Sequence, residues 1–361
     1  MYTFGIITVN EQRGVDFLVP TMTSLSARTT HILQTIGLRR GSRLFLRHSS
    51  GAAWTPAHKP GEFPLYDLAL RVIEEDSERI RGRLKEIKKT SLTAQTLARM
   101  QELEVFSELN RPETLWAFEQ GKGDMSKPVF RHLAERRWRD EGKLDHLMQR
   151  IHTMNIVPDL VGDIHPSVDL DVVVGDGSIE AGVFVDPQAT VQAPGIGVKV
   201  FHREERSYTL VMVDPDVPDV PNRSYRQYLH WLIPNVVISS TSPPLLQLEN
   251  FQPACTYLPP HPQNGTPYHR YTVLLLENPE SRELPITPVS ESERATFCLR
   301  DFIKQWDFKP SLGGGIHFWR STWTPSVSDI YSTILHKPEP RYGRPPKIDR
   351  YEEVKRTRRY I

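Results

Sequence analysis

Apolar residues recur at two different periods along this chain, and the change of period divides it. From Pro64 to about Met154 they return every three or four residues, as on an amphipathic helix, whereas from Val168 they alternate with polar residues or form short unbroken runs, as in strands. In the first region Leu65, Leu68, Val72, Ile73, Ile80, Leu84 and Ile87 mark one face of a long helix beginning at Pro64. The opposite face, with Glu74, Glu75, Glu78, Arg79, Arg81 and Arg83, is mixed in sign and expected in solvent. A second helix is predicted over Thr93–Ser107, and Asn110-Arg111-Pro112 breaks it before a shorter turn over Thr114–Phe118. After a loop at Gly121 and Gly123, Ser126 is expected to cap a further helix with Pro128 in its first turn. That helix should run through Leu133 and Trp138 toward Met154, with a bend near Gly142.

Pro158 and His165-Pro166 close the helical section, so a domain boundary is expected near residue 160. Strands are predicted over Val168–Val174, Ala181–Val185, Gly197–Phe201, Tyr208–Val213, Tyr228–Pro234 and Tyr271–Leu276, then a helix over Ser290–Trp306 and a terminal element near Asp329–Leu335. Long helices do not alternate with these strands, which predicts an α+β chain with an antiparallel or mixed sheet rather than a doubly wound nucleotide fold. Polar residues gather at the ends of the two most apolar runs, and the carboxylates and imidazoles among them suggest an anion site.

Composition changes this picture mainly through the distribution of charge. The 361 residues carry 45 basic and 44 acidic side chains, so total charge does not single out nucleic acid. However, Thr21 to Gly61 contains no Asp or Glu while carrying Arg28, Arg39, Arg40, Arg43, Arg47 and Lys59, the composition of a mitochondrial transit peptide. Residues 1–61 are therefore expected to be a transit peptide or a disordered basic segment, with a basic amphipathic helix over Leu25–Leu46 and an alternative start at Met22. At the other end, Lys337 to Ile361 holds nine Lys or Arg against four Asp or Glu, and Arg341, Arg344, Lys347, Arg356, Arg358 and Arg359 suit contact with an RNA backbone. Arg131, Arg136, Arg137 and Arg139 surround Trp138 and form a second candidate RNA surface, unless Glu135, Asp140 and Glu141 pair with them.

The two cysteines, Cys255 and Cys298, fit reduced thiols better than a secreted disulfide framework. No stretch of 18 apolar residues predicts a membrane span. Metal-ligand spacing, a nucleophile paired with a base, and the lysine of a phosphate-binding loop are all missing from the motifs, so neither an enzyme nor a cofactor is expected.

Asp214-Pro215-Asp216-Val217-Pro218, Tyr225-Arg226, His230-Trp231 and Gly265-Thr266-Pro267-Tyr268-His269-Arg270-Tyr271 resemble the two signature regions of phosphatidylethanolamine-binding proteins. The resemblance runs from about Pro166 to His336, and it implies that family's β-sheet fold over residues 161–338. The helical extension, 62–160, is similar to that of mitochondrial large-subunit ribosomal proteins carrying such a domain, through Leu103–Glu108 and Asp124–Arg139; residues 339–361 form the basic tail. This resemblance implies a structural role in mitochondrial translation, in the matrix, with large-subunit rRNA and ribosomal proteins as partners and no DNA. The alternative is a soluble regulator, of protease- or kinase-inhibitor type, that binds phospholipid head groups or phosphopeptides.

By the same resemblance Asp214, Asp216, Tyr225, His230, His269 and Tyr271 occupy the family's anion pocket, with His261 beside them. Ligand-binding members use glycine amides where this chain has Tyr257-Leu258-Pro259-Pro260-His261-Pro262, and proline has no N–H to donate. Losing two charge-assisted hydrogen bonds at about 1.5–3 kcal/mol each weakens binding by roughly 10²- to 10⁴-fold. The pocket is therefore expected to be vestigial, with a small anionic ligand disfavoured. His261 either restores one donor or fills the cavity.

Overall fold

The computed structural model describes residues 54–89, 93–175 and 177–343. Its first elements are helices α1 (Pro64–Ile87), α2 (Ala94–Leu109), α3 (Pro112–Glu119), α4 (Pro128–Asp140), α5 (Lys143–Thr153) and the single turn α6 (Ile156–Asp159). Proline opens α1, α3 and α4, where its missing N–H costs nothing. Thr93 and Thr96 cap α2 reciprocally. Against expectation, Ser126 does not cap α4. Its hydroxyl donates to Asp124 Oδ2 at 2.7 Å, forming a turn that precedes the uncapped Lys127. Gly142, at φ +84°, makes the break between α4 and α5.

The α1–α2 hairpin closes around small residues: Ser77 is 3% exposed and its hydroxyl donates to the Ser107 carbonyl at 2.5 Å. Only the second half of the α1 apolar stripe is covered. Leu65, Leu68 and Val72, all N-terminal to the Ser77–Ser107 contact, remain 79%, 51% and 55% exposed.

The strands form two antiparallel sheets. β1 (Asp169–Val174), β2 (Gly177–Ile179) and β3 (Gly195–Lys199) associate in the order β2-β1-β3; β4 (Arg206–Asp219), β5 (Ser224–Ile238), β6 (His269–Glu277) and β7 (Gly315–Ser321) associate as β5-β4-β6-β7. Both faces of the larger sheet are buried, and the strand alternation sorts its residues between them. Tyr208, Leu210, Met212, Tyr271, Val273, Leu275 and Trp319 meet Leu170, Val172, Ile196 and Val198 of the smaller sheet. Val211, Val213, Leu274, Leu276, Ile316 and Phe318 meet helical residues. This two-sided burial explains the unbroken apolar runs Val211–Val213 and Leu274–Leu276. Gly314 enters β7 at φ +106°, where a Cβ would lie 2.4 Å from the Leu275 carbonyl.

The core does not part at residue 160. Leu147 and Ile151 of α5, with Ile156, Val157, Leu160, Val161 and Ile164, share one apolar cluster with β4, β6 and β7. The helices before them keep a smaller cluster of Val129, Phe130 and Leu133.

Three other expectations change. Ala181–Val185 is not a strand in its own right but runs along β7, with Gly182 N–H donating to Phe318 O, Val185 N–H to Arg320 O, and Arg320 N–H to Val183 O. The helix expected over Ser290–Trp306 divides into α7 (Glu291–Arg294) and α8 (Leu299–Gln305), because Cys298 is extended and the Leu299 N–H is taken by Gln227 Oε1 at 2.7 Å. The terminal element is α9 (Pro325–Ile330) followed by a π-helical turn over Tyr331–Leu335. Cys255 is buried, and both cysteines are free thiols. No helix among the described residues is long and apolar enough to cross a membrane.

Candidate functional site

Of the expected pocket residues, Asp214, His230, His261, His269 and Tyr271 converge from β4, β5, β6 and the 258–266 loop. Asp214 closes the apolar run of β4 and His269 opens β6; each is at most 2% exposed, and Asp214 Oδ2 lies 2.7 Å from His269 Nδ1. The other carboxylate oxygen, Oδ1, accepts the Asp216 N–H at 2.8 Å. The Thr266 hydroxyl donates to the Gln263 carbonyl at 2.7 Å, so at 3.0 Å its oxygen accepts from His269 Nε2. Both ring nitrogens of His269 thus donate inside the protein. Burial opposes its charge, but Asp214 outweighs that effect and raises its pKa. Asp214 behaves reciprocally: burial opposes ionisation, and His269 holds the carboxyl below its usual range. The pair is a buried ion pair with no free donor for a ligand.

The other two histidines are neutral. His230 donates from Nδ1 to the Leu258 carbonyl at 2.8 Å, and burial, followed by His261, pulls its pKa down to about 3. Its Nε2 has no hydrogen-bond partner among the described residues and carries a lone pair. His261 donates from Nδ1 to the Pro259 carbonyl at 2.8 Å, and burial lowers its pKa as well. Its ring lies 5.1 Å from His230, 5.5 Å from Tyr228 and 5.6 Å from Tyr331, centroid to centroid. His261 therefore fills the site rather than restoring a donor to it. Tyr271 is fully buried, and burial followed by the Asp214 charge raises its phenol pKa.

A cavity of about 470 Å³ lies outside this cluster, lined by Tyr228, His261, Gln263, Tyr331, Leu335 and Lys337 among others. It touches His261 but not His230, His269, Asp214 or Tyr271. The C-terminal segment bounds it: Glu339 accepts from Trp323 Nε1 at 2.5 Å and from the Ser328 hydroxyl at 2.9 Å, and Lys337 pairs with Glu291.

Two pocket expectations need correction. Tyr225 is 61% exposed at the far end of β5, where it pairs with Pro218 outside the buried cluster. Asp216 is consumed by Arg270, accepting its backbone N–H and Nε at 2.9 Å each and its Nη2 at 2.7 Å. Arg270 in turn donates to the Met154 and Asn155 carbonyls and to Asp159, latching β6 to α6. Burial disfavours this cation, yet the two carboxylates outweigh it and raise its pKa.

Among the candidate RNA contacts, Arg131 is 8% exposed and donates to the Met125 and Ser126 carbonyls at 2.9 and 2.7 Å, so it is an internal brace rather than a surface group. Arg136, Arg137 and Arg139 are exposed and pair with Asp140, Glu141 and Glu135 respectively. Trp138 is 4% exposed and packs 5.6 Å from Phe201. The Arg341 side chain is 77% exposed. Arg344, Lys347, Arg356, Arg358, Arg359 and nearly all of the 1–61 segment lie outside the described residues.

Residues 171–310 match the family model for phosphatidylethanolamine-binding protein. This part of the chain is similar to that family. The chain is 27% identical over 289 residues to large ribosomal subunit protein mL38 of Schizosaccharomyces pombe, a match covering 79% of this chain and 90% of that protein. The chain is also 29% identical over 147 residues to Protein MOTHER of FT and TFL1 homolog 2 of Oryza sativa subsp. japonica, a match covering 41% of this chain and 78% of that one. Among solved structures, the phosphatidylethanolamine-binding protein of Plasmodium vivax aligns over 49% of this chain and 97% of its own, with 20% identity and a TM-score of 0.38.

Proposed function

We propose that this chain is a structural constituent of the mitochondrial large ribosomal subunit, in which it supports mitochondrial translation. The observation that carries the reading is the extent of the mL38 match: it spans 79% of the chain, more than the phosphatidylethanolamine-binding-protein domain can account for. The domain serves as a rigid docking body, while the helices and basic tail meet rRNA and neighbouring ribosomal proteins. The acid-free segment from Thr21 to Gly61 supplies import into the matrix. Catalysis is not required, and the Asp214–His269 pair is closed to substrate by its own hydrogen bonds.

The test is sedimentation of mitochondrial extract at moderate salt. Co-migration with the large subunit is expected; recovery in the soluble fraction rejects the reading and favours the regulator.

The family pocket is vestigial on this reading. Its buried cluster presents a lone pair at His230 Nε2 and prolines in place of donors, and both ring nitrogens of His269 are already bonded to Asp214 and Thr266. Calorimetric titration of the full chain with phosphorylethanolamine should give no saturable heat. Tight binding that disappears in His230→Ala would show a working pocket.

A further inference from the structure

Phe184 and Tyr268 are 56% and 39% exposed, yet both sit on a well-braced part of the fold. The 182–185 segment bonds along β7, and Tyr268 directly precedes β6. Between the two aromatic residues lies the half-buried Arg320, its guanidinium 4.0 Å from the Phe184 ring centroid and 5.1 Å from that of Tyr268. The rings meet edge to face at 5.8 Å. Arg320 Nε donates to the Gly182 carbonyl at 2.8 Å, which fixes the guanidinium plane. Across the ladder, Arg270 takes Asp216 and Asp159, whereas Arg320 has no carboxylate partner among the described residues.

An unpaired, oriented guanidinium bracketed by exposed aromatic rings has the chemistry of a nucleotide contact: the terminal nitrogens suit a phosphate and the rings suit an unstacked base. The basic tail leaves the described fold close by. Tyr342 N–H donates to the Asn264 carbonyl at 2.8 Å, four residues before Tyr268, and the sequence from Arg344 onward carries seven Lys or Arg against three Asp or Glu. Gly265 makes that crossing possible, since at φ +90° a Cβ there would meet the Tyr342 carbonyl oxygen at 1.8 Å.

We infer that Phe184, Arg320 and Tyr268 form a contact for single-stranded RNA, with a base on the rings and one phosphate on Arg320. The inference rests on the ribosomal reading and locates one of its RNA surfaces.

The test is fluorescence anisotropy of the full chain with a fluorescein-labelled, 12-nucleotide single-stranded RNA across a potassium chloride series. Phe184→Ala should raise Kd about five- to a hundredfold, and Phe184→Trp should restore binding. Arg320→Gln should reduce the slope of log K against log salt by about one phosphate contact. Removing residues 344–361 should flatten the slope further while leaving the Phe184→Ala penalty in place. Wild-type affinity in both point variants, with unchanged thermal unfolding, overturns the inference. So does a Phe184→Ala penalty that vanishes with the tail, since the tail itself then occupies the rings. Unchanged RNA affinity with lost large-subunit incorporation assigns the platform to a protein neighbour and also overturns it. Sedimentation of the wild-type chain reports on the ribosomal reading separately, so the two failures are distinguishable.

Discussion

Buried imidazoles give this protein two opposite responses to pH. His230 and His317 have pKa values pulled down by burial, to about 3 and about 4, and His261 is lowered for the same reason. Between those values and roughly 6.5, the unfolded-state pKa, the unfolded chain binds more protons than the folded one, so stability falls on acidification. His269 works the other way. Its folded pKa is raised by Asp214, so its contribution is complete below the unfolded pKa and is lost as pH rises through the folded value. His317→Gln removes one acid-side group while keeping a donor for the Ile179 carbonyl. Urea midpoints converted to free energies should show an acid arm between about pH 4 and 6.5 that is shallower by up to about 1.4 kcal/mol per pH unit. Parallel profiles would exclude this assignment.

At the scale of elements, the C-terminal crossing over Gly265 is the contact most sensitive to one added methyl group. Gly265→Ala places Cβ against backbone rather than a yielding side chain. Hydrogen exchange at Tyr342, whose N–H is bonded to Asn264, should accelerate at least tenfold while β4 and β6 stay protected. Equal acceleration in those strands would instead mark global destabilisation. Most elements were legible because the apolar runs of β4 and β6 and the spacing of the α1 and α2 residues reflect local periodicity. β7 is not among the strands that the sequence pattern predicts. Its alternation of Ile316, Phe318 and Trp319 is split between two cores and reads as a strand only once both covering layers are known. The break at Cys298 was equally hidden, because Gln227, far upstream, supplies the acceptor.

For the whole molecule, sequence motifs located the Asp214–His269 cluster but not how its groups are shared. Asp216 is spent on Arg270, and Tyr225 points away, because strand register and the docking of α6 decide both. Arg131 illustrates the same limit: its position among arginines suggests RNA, yet the turn at Asp124 brings two carbonyls within reach and draws it inward. The Phe184–Arg320–Tyr268 platform escaped sequence reading because its members are separated by 84 and 52 positions and meet only through the 182–185 segment, β6 and β7.

The Arg270 latch also bears on the order in which the chain can complete its fold. Leu147, Ile151, Ile156 and Leu160 are translated well before the β4 and β6 residues that cover them. A chain entering a compartment amino terminus first presents that apolar surface naked until more than a hundred further residues have followed; the Arg270–Met154 bond alone spans 116 positions. The end of the helical extension is thus made early and secured late, so its unfinished interval is a period of exposure to aggregation and to chaperones.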